Sequence, residues 1–230
     1  LNVAFDMAAW EILGCLTHGG TLVIRGRDLT ATARTADVLI ATPTVLSGID
    51  PAACPRVRTV AVAGEPCPRP LADRWAGQAA FHNCCGPTET TIVNTMSRHD
   101  PTAPRLTIGR PTPNNTVYVL DADRRPLPIG AVGEMWAGGA CVSAGYLDNP
   151  ALNAERLMSA ALVGSTETLS ESEPADGDPR LPELSLLAVS VGAGGEAGFE
   201  TRLEEVGAAV AAAGSTALPP QLDGDDILIG

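Results

Sequence analysis

The first hundred residues alternate between short apolar runs and a segment with helical spacing. Ala9, Ile12, Leu13 and Leu16 recur at i, i+3, i+4 and i+7, which predicts one buried helix face, and Asp6 stands where a helix N-cap is expected. The other apolar runs predict a strand end at 1–5, strands at 21–24, 37–41, 57–62 and 80–83, and a helix at 71–75. This alternation predicts an α/β fold with a largely parallel sheet and helices on its faces.

The pattern changes from Ile108 onward. Residues 116–120 and 134–137 alternate as strands do, and the segment between them is rich in Asp, Pro and Gly. After Arg156 the periodicity fades: residues 165–178 have the composition of a disordered linker, and 200–213 have only weak helical spacing. We therefore expect an α/β core at 1–107, a small β subdomain at 108–156 and an acidic low-complexity tail at 157–230.

Composition narrows the class of protein. The net charge is −12, and 14 of the 27 acidic residues lie in 151–230 against three arginines, which argues against nucleic-acid binding. All 15 basic residues are arginines, so the chain has no lysine. No apolar run reaches the roughly 20 residues of a membrane span and no signal sequence is apparent, so a cytoplasmic location is expected. Since the chain begins at Leu1, we expect the natural protein to start upstream.

The cysteines and histidines show no metal-site spacing. Neither a Cys-x-x-Cys pair nor a suitable His spacing occurs, so reduced thiols are favoured over a disulfide framework. His18, His82 and His99 form neither a ligand set nor a triad, and His82 is interpreted as a strand residue. The six cysteines are Cys15, Cys54, Cys67, Cys84, Cys85 and Cys141.

Residues 83–92 are the segment of the chain that is most informative about function. They read Asn-Cys-Cys-Gly-Pro-Thr-Glu-Thr-Thr-Ile. Gly86 permits a close backbone approach to a ligand, and Pro87 stiffens the turn. Thr88 offers a hydroxyl to a phosphate oxygen, and Glu89 offers a hard oxygen ligand to Mg²⁺. The pattern predicts a loop for a nucleotide phosphate and its metal. A Gly-Pro turn followed by a Thr-rich edge strand is an equal alternative when the motif is taken alone.

This stretch resembles the Asn-x-Tyr-Gly-Pro-Thr-Glu motif of adenylate-forming enzymes, specifically the adenylation domains of nonribosomal peptide synthetases. Two further segments resemble that family in the same order: Phe-Asp-Met-Ala-Ala-Trp-Glu at 5–11, and 133–147 with its Gly-Glu-Met start and Ala-Gly-Tyr-Leu end. The resemblance covers roughly residues 1–156. It implies part of the family's large α/β subdomain followed by its small β-barrel subdomain.

The resemblance also implies a reaction and its partners. Such a domain joins an amino acid to the α-phosphate of ATP with Mg²⁺ present, expels pyrophosphate, and passes the acyl group to a phosphopantetheine thiol. The implied protein partners are the carrier, condensation and C-terminal adenylation subdomains of a parent synthetase, without nucleic acid or membrane.

For the amino acid, the resemblance implies that Asp6 pairs with the α-ammonium group, as an alternative or addition to capping the helix. The implied pocket lining, which plain core packing would also explain, is Met7, Trp10, Ile40, Ala61, Ala63, Cys84, Ile92 and Val93. Since two of these are alanines and none is charged, we expect a fairly large, neutral substrate side chain. The sequences of residues 5–14 and 62–71 resemble those of fungal siderophore synthetases. This resemblance suggests that the substrate is a modified ornithine such as an acylated hydroxyornithine.

For the nucleotide, the resemblance implies that Gly64 and Glu65 pass along one face of adenine and that Asn83 reaches its amino group. Gly86 and Thr88 would contact phosphate, and Glu89 would bind Mg²⁺. Two positions depart from the family pattern: Cys85 replaces a stacking Tyr, and Ala144 replaces an Arg.

Several family elements have no counterpart in this sequence. The Ser/Thr-rich phosphate loop with its Lys would lie upstream, no Thr-Gly-Asp motif occurs, and there is no residue for the catalytic Lys. Since electrostatic stabilisers each contribute about 10²–10³ to rate, we expect the chain to be inactive alone. The alternative is a non-catalytic remnant, or the product of a truncated or wrongly assembled gene, that binds nucleotide weakly at best.

Overall fold

The computed structural model describes residues 1–159, 185–189 and 227–228. The predicted linker at 165–178 and the predicted helix at 200–213 lie outside the described residues. The helices are α1 (Met7–Thr17), α2 (Leu29–Ala33), α3 (Pro43–Ser47), α4 (Arg69–Ala76) and α5 (Pro150–Arg156). The strands are β1 (Val38–Ala41), β2 (Thr59–Val62), β3 (Ala80–Cys85), β4 (Thr95–Arg98), β5 (Thr107–Pro111), β6 (Asn115–Leu120), β7 (Glu134–Gly139), β8 (Leu157–Ser159), β9 (Ser185–Val189) and β10 (Ile227–Leu228).

The first sheet holds the α/β part of the chain. Its strand order is β1-β2-β3-β4-β5-β10, with β1, β2 and β3 parallel and the later neighbours antiparallel. The crossovers between the parallel strands contain α3 and α4, as the βαβ pattern requires. The predicted α/β class is therefore confirmed, and the carboxyl ends of β1, β2 and β3 meet at one edge of the sheet.

The main core lies between α4 and the parallel strands. Leu71, Ala72 and Trp75 bury one face of α4, and Trp75 is fully buried in the same cluster as Phe81 of β3 and Val60 of β2. Burying a side chain of this size contributes roughly 1.5–3 kcal/mol. This packing holds β2 and β3 against α4 and so positions their carboxyl ends.

A buried histidine ties α4 to the end of β4. His99 Nε2 lies 2.7 Å from Asp73 Oδ1, and the ring meets Phe81 edge-to-face. The hydrogen bond from His99 is the main reason that the pKa of Asp73 lies below its usual value. His99 thus has a structural contact within the fold.

The predicted orientation of the first helix is wrong. Helix α1 forms where expected, but Leu13 and Leu16 are 60% and 55% exposed, and Met7 and Ala8 are its buried residues. Residues 1–5 form a turn closed by Phe5 N–H on Asn2 O, and 21–24 are not a strand. Spacing shows which residues share a face, but the side on which that face meets the sheet is set by tertiary contacts. Residues 21–24 pair with no strand in the described ranges.

The second sheet is wholly antiparallel, in the order β6-β7-β9-β8. The strands predicted at 116–120 and 134–137 are confirmed as β6 and β7. The described strands of this sheet have a linear order, and the predicted β-barrel subdomain stays a prediction. This sheet begins at Asn115, and the predicted boundary between 107 and 108 stays a prediction. No helix in the described ranges is long and apolar enough to cross a membrane.

Gly109 in β5 offers a test of this packing. Its φ is +76°, and a Cβ there would overlap the carbonyl of Met96 on the neighbouring strand β4. We expect Gly109→Ala to lower the free energy of unfolding by about 1–3 kcal/mol or more, measured by urea denaturation. Gly77→Ala is the control, since Gly77 has ordinary helical φ and no atom within 4 Å of an added Cβ. Equal effects of the two substitutions would contradict the close packing of β5 on β4.

Candidate active site

The motif loop leaves the carboxyl end of β3 and turns at once. After Gly86-Pro87, residues Thr88–Thr90 form a 3₁₀ turn, so the alternative of a Thr-rich edge strand is wrong. The next residues, Thr91 and Ile92, have φ of 56° and 82°. β-branched residues seldom adopt this left-handed region, so the loop stores backbone strain.

Gly86 lets the loop close on itself. A Cβ at this position would lie 2.5 Å from Ile92 O and 2.8 Å from Asn94 N. Asn94 N–H donates to Cys85 O at 3.0 Å across the mouth of the loop. The glycine is therefore required by the chain's own turn, and its role toward a ligand stays a prediction.

The Asp6 carboxylate contacts the loop that contains Thr88. It precedes α1, but its own backbone is already helical and its side chain caps no N–H of the helix. Instead, the Thr88 hydroxyl donates to Asp6 Oδ2 at 2.7 Å, across 82 positions of sequence. The interpretation of Asp6 as a side-chain cap is wrong. The residue proposed to bind an ammonium group touches the residue proposed to bind phosphate.

The predicted pocket residues converge. Met7, Ala61, Ala63 and Cys84 are buried together in one apolar cluster. The other four predicted lining residues pack against it, half-buried: Trp10, Ile40, Ile92 and Val93. All eight predicted lining residues thus lie in one cluster beside Asp6, and whether they line a substrate pocket stays a prediction.

Three further residues of this cluster were missed: Leu1, Phe5 and Met96. Met96 stands opposite Cys84 in the β3–β4 register, and because β4 was not predicted, no signal pointed to it. Phe5 belongs to the first motif. Its ring packs over Gly64, where an added Cβ would lie 2.9 Å from Phe5 Cζ. The signal for Phe5 is its place in the first motif, directly before Asp6.

Glu65 holds the turn after β2 against the start of α3. Its carboxylate accepts hydrogen bonds from Thr44 N–H and from the Thr44 hydroxyl, both at 2.8 Å. These bonds, the backbone one first, place the pKa of Glu65 below its ordinary value. Gly64 precedes it with φ +89° and is exposed. Their predicted positions along adenine stay predictions.

The end of β3 carries the other predicted nucleotide residues. Asn83 is 6% exposed, and its side-chain N–H donates to Thr107 O at 2.8 Å. Burial raises the pKa of Cys84 to about 12 and that of Cys85 to about 11, so both are neutral thiols. His82 is a strand residue, as predicted, and burial lowers its pKa. None of these contacts tests the predicted binding of adenine.

Glu89 is held by the loop between β7 and α5. Tyr146 OH donates to Glu89 Oε1 at 2.6 Å, and Ser143 N–H donates to Glu89 O at 2.8 Å. The Thr91 hydroxyl donates to Cys141 O at 2.7 Å. The bond to Glu89 is the main cause of a raised Tyr146 pKa. Tyr146 lies in the third motif, and the motif alone predicts no role for it.

The donor set suits a metal that arrives with phosphate. Within 1–159 and the two short later strands, no three His, Cys, Asp or Glu residues form a metal cluster. At nucleotide sites Mg²⁺ is usually bound by one or two carboxylates together with phosphate oxygens and water. In the described part of the chain, Glu89 Oε2 accepts no hydrogen bond. Glu89 therefore fits a nucleotide-bound Mg²⁺ better than a free-standing ion.

Comparison with known families agrees with this geometry. The family model described as "AMP-binding enzyme" matches residues 1–147. Adenylate-forming reductase 03009 of Coprinopsis cinerea is 53% identical over 161 residues, which are 69% of this chain and 16% of that protein. Bacitracin synthase 3 of Bacillus licheniformis is 37% identical over 167 residues, 69% of this chain and 3% of that protein. The chain thus spans less than a fifth of these relatives.

Solved structures share the fold. The N-terminal subdomain of Klebsiella oxytoca NpsA, in complex with 3-hydroxybenzoyl-AMSN, superposes with a TM-score of 0.68 at 21% identity. The match covers 88% of this chain and 48% of that one. It supports the predicted fold class.

The Glu65 contact predicts a pH dependence of stability. Since the folded pKa lies below the ordinary value of 4.5, its contribution is present above pH 4.5 and is lost as the pH falls through the lowered pKa. Wild type should exceed Glu65→Gln in unfolding free energy at pH 7, and the difference should vanish in acid. Urea denaturation between pH 7 and pH 3 measures it, with Glu155→Gln, an exposed acid on α5, as the control. A difference that persists unchanged in acid would refute the assignment.

Proposed function

The chain belongs to the AMP-binding enzyme family, and we propose that it is part of an adenylation domain of the nonribosomal peptide synthetase type that activates an amino acid with ATP. The proposal is carried by one observation. Asp6, the apolar cluster and the Thr88-Glu89 loop lie together at the carboxyl edge of the parallel strands. In α/β sheets this edge is where ligands bind.

Each part of the site has a distinct task. The Asp6 carboxylate binds the α-ammonium group, and the apolar cluster receives the side chain. The Thr88 hydroxyl contacts phosphate once the ammonium group takes over Asp6. Glu89 holds Mg²⁺, which neutralises phosphate charge when bound. Together these groups place the substrate carboxylate against the α-phosphate, which supplies the rate advantage of orientation.

The substrate is a large amino acid with a neutral side chain. Support comes from the eight lining residues, none of which is charged, and from the small side chains of Ala61 and Ala63. An acylated hydroxyornithine of the fungal siderophore type meets this description, since acylation removes the positive charge of ornithine.

The parent protein passes the acyl group to a phosphopantetheine carrier and works with condensation and C-terminal subdomains. A second candidate is favoured by the 53% identity to an adenylate-forming reductase. In that case the activated acyl group is reduced instead of condensed. Product analysis of the full-length parent with ATP, amino acid and reduced nicotinamide separates the two, because only the reductase consumes the reductant.

Catalysis by this chain alone is expected to be slow, because it has no lysine for the family's catalytic position. Amino-acid-dependent pyrophosphate exchange on the purified chain tests this point. Robust exchange would contradict both the slow catalysis and the alternative of a non-catalytic remnant. An aminoacyl-sulfamoyl adenosine occupies both the amino-acid site and the nucleotide site. If this analogue does not bind at all, the non-catalytic remnant is favoured.

Asp6→Asn tests the ammonium contact. Hydrogen bonds to charged groups contribute about 1.5–3 kcal/mol, so binding of the aminoacyl-sulfamoyl adenosine should weaken by about 10–150-fold in calorimetry. Binding of the matching analogue without the α-amino group should weaken much less, since it lacks the charged group that Asp6 binds. Asp37→Asn, in an exposed pair with Arg56 at the far end of β1, is the control. Equal losses for both analogues would contradict the assignment of Asp6.

Cys85→Tyr tests the adenine face. Base stacking on an aromatic contributes about 1–3 kcal/mol, so the variant should bind a non-hydrolysable ATP analogue about 5–150-fold more tightly. Fluorescence titration measures the change, and Cys15→Tyr on α1, outside the loop, is the control. No gain at Cys85 would place adenine elsewhere.

A further inference from the structure

We propose that Tyr146 is a positioning residue for Glu89: its hydroxyl fixes the carboxylate so that the free oxygen faces the magnesium of bound nucleotide. The inference rests on the function proposed above and assigns a role to the 139–146 loop, which follows β7 of the second sheet.

The first support is that the two carboxylate oxygens of Glu89 have different contacts. Tyr146 OH donates to Oε1 at 2.6 Å, while Oε2 accepts no hydrogen bond within the described residues. A carboxylate that binds metal through one oxygen gains affinity when the other is hydrogen-bonded, because its rotamer is already fixed. Tyr146 comes from 57 positions further along the chain, so the contact is not a by-product of local sequence.

The second support is that Tyr146 is itself held rigidly. Asn153 of α5 accepts from Tyr146 N–H at 2.7 Å and donates from its Nδ2 to Tyr146 O at 3.0 Å. Gly145 has φ +114°, and an added Cβ would lie 2.8 Å from Asn153 Oδ1. The Asn153 side-chain amide therefore hydrogen-bonds both the N–H and the carbonyl oxygen of Tyr146.

The third support is that the same loop fixes the backbone of Glu89. Ser143 N–H donates to Glu89 O, and Thr91, in its left-handed conformation, donates its hydroxyl to Cys141 O. Main chain and carboxylate of Glu89 are thus held from one loop. A purely structural clamp would need only the backbone contacts. The tyrosine adds an orientation to the carboxylate.

Tyr146→Phe removes the hydroxyl and keeps the ring, and Tyr118→Phe is the matched control. Tyr118 on β6 is the other tyrosine of the chain, and its hydroxyl makes no hydrogen bond in the described ranges. Calorimetry gives the Kd of a non-hydrolysable ATP analogue with Mg²⁺ and with EDTA. We expect Tyr146→Phe to reduce the gain in affinity from Mg²⁺ by about 10-fold, the lower end for partners of metal ligands. Affinity in EDTA should stay unchanged, as should both values for Tyr118→Phe.

Two further variants separate positioning from general damage. In a Glu89→Gln background, Tyr146→Phe should cause no additional loss, since the ligand it positions has been removed. Asn153→Ala, which keeps the hydroxyl but frees the Tyr146 backbone, should lower the Mg²⁺ gain in the same direction, and it serves as the test if Tyr146→Phe does not fold.

The outcomes are distinguishable. If wild type binds the analogue with a Mg²⁺ gain and the variant keeps that gain, the inference is wrong while the proposed function stands. If wild type shows no Mg²⁺ gain at all, the assignment of Glu89 fails and the inference fails with it. A loss that is equal with Mg²⁺ and with EDTA shows structural damage only, and also overturns the positioning role.

Discussion

The candidate site depends on one close approach, that of Gly86 to the backbone of residues 92–94. Because the loop folds back within so few residues, Thr88 reaches Asp6 while Ile92 and Val93 enter the apolar cluster. The turn forces Thr91 and Ile92 into the left-handed region, which costs about 1–3 kcal/mol each. Hydrogen bonds from the Thr90 and Thr91 hydroxyls to Pro87 O and Cys141 O offset part of that cost.

The sequence predicted the local elements well where apolar runs are bounded by Gly or Pro. Strands β1, β2 and β3 formed as predicted because each is a short apolar segment, and helix α4 formed because one apolar face lies between Pro68 and Gly77. The lining residues could be named only through the resemblance to a known family. Periodicity alone would have made them ordinary core, and in the structure they do pack as a cluster.

Other contacts were beyond prediction for a physical reason. The buried side of α1 and the partners of Asp6 and Glu89 are decided by tertiary packing between segments 57 and 82 positions apart. Side-chain propensity says nothing about such pairs. Asp6 is the clearest case, since a helix cap satisfied every local rule and the carboxylate still bonds to a distant threonine.

The Asp6–Thr88 hydrogen bond makes the effect of a substitution at one of these positions depend on the residue at the other. Residues that share a polar contact have non-additive effects, commonly by about 0.5–3 kcal/mol. In the proposed site, a substitution at position 6 therefore also changes the surroundings of Thr88, and a substitution at position 88 changes those of Asp6. Engineering of this domain calls for positions 6 and 88 to be varied as a pair, because single-site scans at either one would combine two effects.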